Sequence, residues 1–133
     1  MPFVVGVALA LGVGLLGTVV GLDRERSFYP TIMLVIAALY SLFAVMGATA
    51  HTLMLEMAAG AVFVAAAVAG FKSSLWIVAA ALAGHGLFDF VHGGIIDDPG
   101  VPPYWPAFCG AYDVTAAAYL AWLIRVGRVR ARA

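Results

Sequence analysis

Apolar residues run through this chain in long blocks, separated by short polar or proline-rich breaks. A helix that crosses a bilayer needs about 20 mostly apolar residues. Blocks of this kind fall at residues 3–22, 28–48, 52–71, 75–94 and 107–126. The pattern predicts an all-α fold in which a single transmembrane domain, residues 1–133, is a bundle of five membrane-spanning helices.

Composition agrees with this prediction. Of the 133 residues, 65% are hydrophobic and only 11% are charged, too few polar residues to cover the surface of a soluble domain. No basic tract suits nucleic acid, and no glycine-rich phosphate loop follows a strand. The single Cys109 excludes an intrachain disulfide and a cysteine-rich metal site. The partners predicted are membrane lipids, a lipophilic small-molecule substrate and, as an open alternative, further copies of the chain.

The placement of the basic residues predicts the orientation. All seven lysines and arginines lie in the first turn, in the third turn or near the C-terminal end. The N-terminus, the turn at 47–52 and the loop at 93–106 contain none. Because basic loops stay in the cytoplasm, we expect a multi-pass protein of the cytoplasmic (inner) membrane with its N-terminus outside and a basic cytoplasmic tail at 127–133.

Three chemically active side chains share one face of the fourth span. His85, Asp89 and His92 are spaced i, i+4, i+7, which places them within a stripe of roughly 60°. Ionisable groups inside a membrane are costly, so they indicate a functional site with partners on other helices. Glu56 in the third span and Asp113 in the fifth lie at a similar predicted depth, roughly 6–9 Å inside the outer boundary.

The sequence therefore predicts one polar cavity between the third, fourth and fifth spans, opening to the outside beneath the loop 93–106. No lysine or arginine is available there, so either some carboxylates keep their protons or a cation is bound. A mixed imidazole and carboxylate set suits Zn²⁺, Mn²⁺ or Fe²⁺. We predict that His85, Asp89 and His92 are the metal ligands if a metal is present, with no cofactor otherwise. The catalytic candidates are Asp89, Glu56 and Asp113, and the substrate-binding candidates are Tyr112 and Trp105.

Three classes of function remain open at this level. The first is a membrane-embedded enzyme acting on a lipophilic substrate, either a metal-dependent hydrolase or an acid–base isomerase or cyclase of a lipid or isoprenoid. The second is a proton- or cation-handling protein, against which stands the lack of a polar relay in the cytoplasmic half. The third is a non-catalytic subunit of a membrane complex, in which the polar network only joins helices.

Other polar positions have structural interpretations. Asp23 belongs to a polar interfacial turn, and His51 is expected to be solvated. Asp98 is expected to make a turn before Pro99, and Cys109 to fill space as a small apolar residue. Tyr40 faces either the cavity or a neighbouring helix. Small residues four apart, Gly17 and Gly21 or Ala80 and Gly84, indicate close helix packing.

Three segments carry a resemblance: Asp23–Thr31, Gly84–His92 and Pro106–Val114. They resemble an uncharacterised family of small bacterial polytopic membrane proteins, and this resemblance implies a recurring architecture and no particular activity. More distantly, the style of the site is similar to that of the metal-dependent membrane hydrolases of the alkaline ceramidase and adiponectin-receptor type. Those proteins have seven spans, three zinc-binding histidines and a serine, where this chain has five predicted spans and two intramembrane histidines.

Overall fold

Five long helices account for most of the chain. The computed structural model describes residues Met1–Ala133, and its helices are α1 Pro2–Val20, α2 Phe28–Gly47, α3 Ala50–Lys72, α4 Leu75–Ile95 and α5 Trp105–Arg125. Each is long and apolar enough to cross a membrane. The all-α class and the five predicted spans are confirmed, and the helix ends differ from the predicted ones by no more than two residues, as at Val20 against 22.

Local sequence explains where the helices begin and end. Gly21 adopts the left-handed conformation, with φ 91°, and its N–H donates to the Gly17 carbonyl, which closes α1. The Thr49 hydroxyl accepts from the backbone N–H of Thr52 and caps the start of α3. Pro106 lies in the first turn of α5, where its missing N–H costs no hydrogen bond.

Helix α4 is the centre of the bundle. It packs against α5, α3 and α2, and half of its apolar window is buried, against 17% for α3. Helix α1 packs mainly on α5, and α2 packs mainly on α3. Since α1 and α2 have almost no direct contact, a cleft remains between them, with α5 as its floor.

The two ends of the bundle differ in chemistry. One end carries the α2–α3 turn and the loop between α4 and α5, and we call it the loop end. The other carries the α1–α2 and α3–α4 turns and the C-terminal tail, and we call it the arginine end. The core near the arginine end is apolar, with Met33, Val78, Leu120 and Leu123 fully buried. The buried ionisable groups lie mostly toward the loop end.

A close approach of α4 and α5 sets the geometry of that polar half. A Cβ added at Gly86 would lie 3.0 Å from the Gly110 carbonyl oxygen and 3.2 Å from the Asp113 Cβ. Glycine at this crossing lets the two backbones approach closely. The predicted packing role of Ala80 and Gly84 is wrong, because Ala80 is exposed and a Cβ at Gly84 would meet only Phe63, at 4.0 Å.

Large apolar side chains cover the outside of the bundle. Leu16, Val45, Val62 and Leu87 are each 60–68% exposed. A soluble protein would expose such residues only in limited patches, whereas hydrocarbon solvates them well. The structure is therefore that of a multi-pass membrane protein.

Candidate functional site

The polar stripe on α4 points into the bundle. His85, Asp89 and His92 are each 1–2% exposed, as the i, i+4, i+7 spacing predicts for one inward face. Glu56 from α3 and Asp113 from α5 are equally buried. The structure therefore brings the five predicted ionisable residues into one interior region, which we call the buried cluster.

The first part of the buried cluster joins α4 to α5. The Nδ1 atom of His85 lies 2.7 Å from Asp113 Oδ2 and 3.5 Å from Asp89 Oδ2. An ionised carboxylate only accepts hydrogen bonds, so Nδ1 carries the hydrogen whenever Asp113 is ionised. The Sγ atom of Cys109 lies 3.9 Å from both Asp113 oxygens. One imidazole is thus held between two carboxylates, with a thiol alongside.

The second part joins α4 to α3. The Nε2 atom of His92 lies 2.6 Å from Glu56 Oε1. The other Glu56 oxygen, Oε2, is buried without a hydrogen-bond partner. The two histidines of α4 therefore pair with carboxylates on two different helices: His85 with Asp113 of α5, and His92 with Glu56 of α3.

Tyr40 of α2 connects the two parts. Its hydroxyl donates to Asp89 Oδ1 at 2.6 Å, and its ring stacks on the His92 imidazole with centroids 3.9 Å apart. The sequence left open whether Tyr40 faces the cavity, and the structure shows that it is part of the buried cluster. The sequence feature that could have indicated this is the depth of Tyr40, which places it in the same half of the membrane as the acids.

The charges of the buried cluster do not balance within the protein. All three ion pairs of the chain join a histidine to a carboxylate, so no lysine or arginine neutralises these acids. Even with both imidazoles protonated, three ionised carboxylates would leave one net negative charge. Because net charge in hydrocarbon is costly, we expect the cluster to hold a further proton or a cation.

A four-donor group is the arrangement best able to hold a metal. The ligand atoms of His85, Asp89, Cys109 and Asp113 all lie within 4.8 Å of one another. Imidazole, thiolate and carboxylate together suit Zn²⁺ or Fe²⁺. His92, predicted as a ligand with His85 and Asp89, instead pairs with Glu56, since it lies about 10 Å along the helix from His85. Cys109, interpreted as an apolar filler, supplies the fourth donor.

The loop between α4 and α5 closes the buried cluster at the loop end. Asp98 makes the predicted turn, with its Oδ1 accepting from the Gly100 N–H at 2.9 Å, but its carboxyl is also buried beside Glu56. The Thr52 hydroxyl donates to the Asp97 carbonyl at 3.3 Å and ties the loop to α3. The loop lies over the buried cluster, as predicted, but it packs down on it, so the predicted opening to the outside is wrong. His51 is exposed, as expected.

The buried cluster instead borders the lateral cleft. The cleft between α1 and α2 has a volume of about 290 Å³ and is almost entirely apolar, with α5 side chains as its floor. Trp105 and Tyr112, the two predicted substrate-binding residues, both line it, as does Cys109. Cys109 thus belongs to the cleft and to the four-donor group at once.

At the arginine end, Asp23 lies in the predicted turn between α1 and α2, but its side chain is buried in the bundle. It is 2% exposed, and its carboxylate accepts from the Thr18 hydroxyl at 2.6 Å. That hydroxyl is also 2.8 Å from the Tyr119 hydroxyl. A small polar network therefore exists in this half of the bundle, contrary to the expectation from sequence.

Fold and site together define a class: a five-helix membrane protein with a buried histidine–carboxylate cluster beside an apolar lateral cleft. Comparison with known proteins yields no match to a family model, a curated protein or a solved structure. The function is therefore argued from the site.

Proposed function

We propose that the protein is a membrane-embedded enzyme that carries out acid–base chemistry, an isomerisation or cyclisation, on a lipid or isoprenoid substrate. One observation carries the proposal: the floor of the apolar cleft is also the wall of the buried cluster, through Cys109. A lipophilic molecule could enter sideways between α1 and α2 and present its reacting group to the cluster. Concave, largely apolar sites with a few convergent polar groups are typical of small-molecule binding.

The buried cluster offers paired acids and bases for this chemistry. His85 lies between Asp113 and Asp89, and the Tyr40 hydroxyl donates to Asp89. In an isomerisation, one carboxylate would remove a proton from the substrate and a protonated partner would return one elsewhere, so no net proton is consumed. The Asp89 Oδ2 and Glu56 Oε2 atoms accept no hydrogen bond within the protein, so each has a lone pair available for such a proton.

The burial of the cluster away from water favours isomerisation or cyclisation over hydrolysis. The cluster side chains are 0–3% exposed, and the loop between α4 and α5 closes the loop end. A site that meets only an apolar cleft favours a reaction that needs no water. If the four-donor group of His85, Asp89, Cys109 and Asp113 held a divalent metal, that ion would supply Lewis-acid activation, and hydrolysis would become the alternative.

The placement of the protein follows from the same charges that predict its orientation. We propose that the arginine end faces the cytoplasm and the loop end the outside of the inner membrane, since all lysines and arginines lie at the arginine end. The buried cluster then lies nearer the outer leaflet.

An isotope experiment tests the proposal without knowledge of the substrate. Purified protein is incubated with a total membrane lipid extract in D₂O, and lipids are analysed by mass spectrometry for deuterium gain or new isomers. We expect wild-type protein to label one lipid class, and His85→Gln and Asp113→Asn to abolish labelling. Val35→Trp, which fills the cleft, should reduce it, whereas Val45→Trp, in the groove between α2 and α3, should not. These two variants are matched because both valines are more than half exposed.

The outcomes separate the competing classes. Incorporation of ¹⁸O from labelled water into a product, with loss of activity on chelation, would replace isomerisation with metal-dependent hydrolysis. No change in any lipid, together with folded but inert His85→Gln and Asp113→Asn proteins that are only less stable, would leave the cluster as a structural network and refute the enzyme.

The polar network at Asp23 favours a second candidate, proton handling. The Asp23–Thr18–Tyr119 network lies at the arginine end, and the Tyr29 hydroxyl is buried without a partner. Proton flux into proteoliposomes, followed with a pH-sensitive dye, tests it: flux that is lost in Asp23→Asn and in Asp89→Asn supports transport. Flux equal to that of empty liposomes excludes it.

A further inference from the structure

A second site lies at the arginine end, independent of the buried cluster. A cavity of about 430 Å³ is lined by five arginines, Arg24, Arg26, Arg128, Arg130 and Arg132, and by two tail residues, Val129 and Ala133. No arginine of the chain forms an ion pair with an acid, because all three ion pairs involve histidine. We propose that this arginine cavity binds a phosphate group.

The tail is held in place to form one wall of the cavity. Gly127, with φ 73°, ends α5, and the Arg128 N–H donates to the Leu123 carbonyl. The chain then pairs with the α3–α4 turn: the Leu75 N–H donates to the Ala131 carbonyl at 2.8 Å, and the Ala133 N–H donates to the Ser73 carbonyl at 3.0 Å. The wall is therefore built by backbone hydrogen bonds, which a frayed terminus would lack.

Alternation along the tail places its arginines on one face. Val129 is buried, and Arg128, Arg130 and Arg132 are exposed. All three arginines line the cavity. The spacing of the tail thus gathers three guanidinium groups at one opening.

Arg26 forms the fixed base of the cavity. Its guanidinium donates to the carbonyl oxygens of Gly70, Phe71, Arg130 and Ala131, at 2.6–3.3 Å. These bonds are to neutral acceptors, so the positive charge is positioned without being neutralised. The adjacent acid, Glu25, is exposed and forms no ion pair, and Asp23 is buried against Thr18.

Phosphate is the ligand chemistry that this arrangement fits. Guanidinium groups match phosphate oxygens with paired, charge-assisted hydrogen bonds, and several unpaired arginines around one cavity favour a multiply charged anion over a single carboxylate. The phosphate could belong to the headgroup of an anionic lipid or to a soluble phosphate compound. Basic residues next to a membrane span commonly meet anionic headgroups.

Two arms of one experiment distinguish these sources. The full chain is placed in phosphatidylcholine nanodiscs and titrated with inorganic pyrophosphate by calorimetry. In the second arm, nanodiscs of phosphatidylcholine and phosphatidylglycerol are used, and retained phosphatidylglycerol is counted by native mass spectrometry. Binding in the first arm indicates a soluble phosphate, and retention in the second indicates a headgroup; either result supports the site.

Position-matched variants decide whether the cavity or only the charge matters. Arg130→Gln and Arg132→Gln should each weaken phosphate binding about tenfold, the expected effect of losing a charge-assisted hydrogen bond. Arg125→Gln removes the same charge from the same end, but Arg125 does not line the cavity, so its effect should stay below about twofold. Equal losses in all three variants, or no binding of either phosphate probe, would overturn the proposal.

Discussion

The hydrogen bond from Tyr40 to Asp89 is the most direct test of the buried cluster. Tyr40→Phe removes one hydroxyl and leaves the ring that stacks on His92. Asp89 Oδ2 already lacks a hydrogen-bond partner, so the variant leaves this buried carboxyl group with no hydrogen bond and only the 3.5 Å ion pair to His85. The variant should therefore remove a hydrogen bond from Asp89 and change the packing little.

The size of the effect can be estimated from two scales. Hydrogen bonds between membrane helices contribute about 0.6 kcal/mol on average and about 1.7 kcal/mol at most. Bonds to charged groups contribute about 1.5–3 kcal/mol in soluble proteins. The 2.6 Å bond to a buried carboxylate lies where the two ranges meet, so we expect Tyr40→Phe to lower the free energy of unfolding by about 1.5 kcal/mol. This corresponds to a fall in Tm of about 5 °C for a chain of this size.

Thermal unfolding in detergent, run on matched variants, measures this effect. Tyr104→Phe removes the same hydroxyl from a tyrosine that is 57% exposed, so it should change Tm by less than about 2 °C. In an Asp89→Leu background the Tyr40 hydroxyl loses its acceptor, and Tyr40→Phe should then be neutral or stabilising. If Tyr40→Phe matched Tyr104→Phe, or had the same cost in both backgrounds, Tyr40 would act only through its ring, and the link between the two parts of the cluster would be wrong.

Three further predictions concern other parts of the molecule. Gly86→Ala should destabilise the bundle by about 1–3 kcal/mol through overpacking, whereas Gly93→Ala, where a Cβ meets nothing within 4 Å, should be neutral or stabilise α4 by up to about 1 kcal/mol; urea or thermal melts compare them. If Zn²⁺ titration of chelator-treated protein shows a site, Cys109→Ala should abolish it and His92→Gln should retain it, because Cys109 and not His92 belongs to the four-donor group; the reverse dependence would restore the ligand set predicted from sequence. Arg26→Gln should lower Tm by about 5 °C or more, because several carbonyl oxygens at the arginine end lose a charged donor, and an unchanged melt would contradict the structural role of Arg26.

The spans were predictable because the bilayer imposes a length and a composition on every crossing segment. The turn at Gly21 and the proline at 106 also reveal helix ends directly in the sequence. The clustering of Glu56, His92 and Asp113 around α4 was predictable for a related reason. Ionisable groups in hydrocarbon must turn inward and find partners, so depth and helical spacing alone bring these residues together.

The neighbours of each helix were not predictable in the same way. Lipid and protein interior are both apolar, so hydropathy does not distinguish a lipid-facing side from a packed one. Hydropathy therefore did not indicate that α1 and α2 are separated by a cleft, or that α4 packs closely on α5 at Gly86 and Gly110. The roles of Cys109 and Tyr40 depend on that crossing and on the α2–α4 contact, which is why sequence reasoning left them undecided.

The closed loop end and the open lateral cleft follow from one asymmetry in the bundle. Helix α5 contacts both α1 and α4, and the loop before it passes over the buried cluster, with Asp98 packed beside Glu56. The acids are thereby shielded from the aqueous side, while Cys109, which lines the lateral cleft, faces the apolar one. A network needed only to join helices would gain stability from the same burial but would have no need of a cleft at its wall. Cys109 belongs both to the cleft and to the four-donor group, and this shared position favours a lipophilic substrate over a purely structural role. Filling the cleft by Val35→Trp separates the two explanations, because it should reduce activity on a lipophilic substrate and leave a purely structural network unchanged.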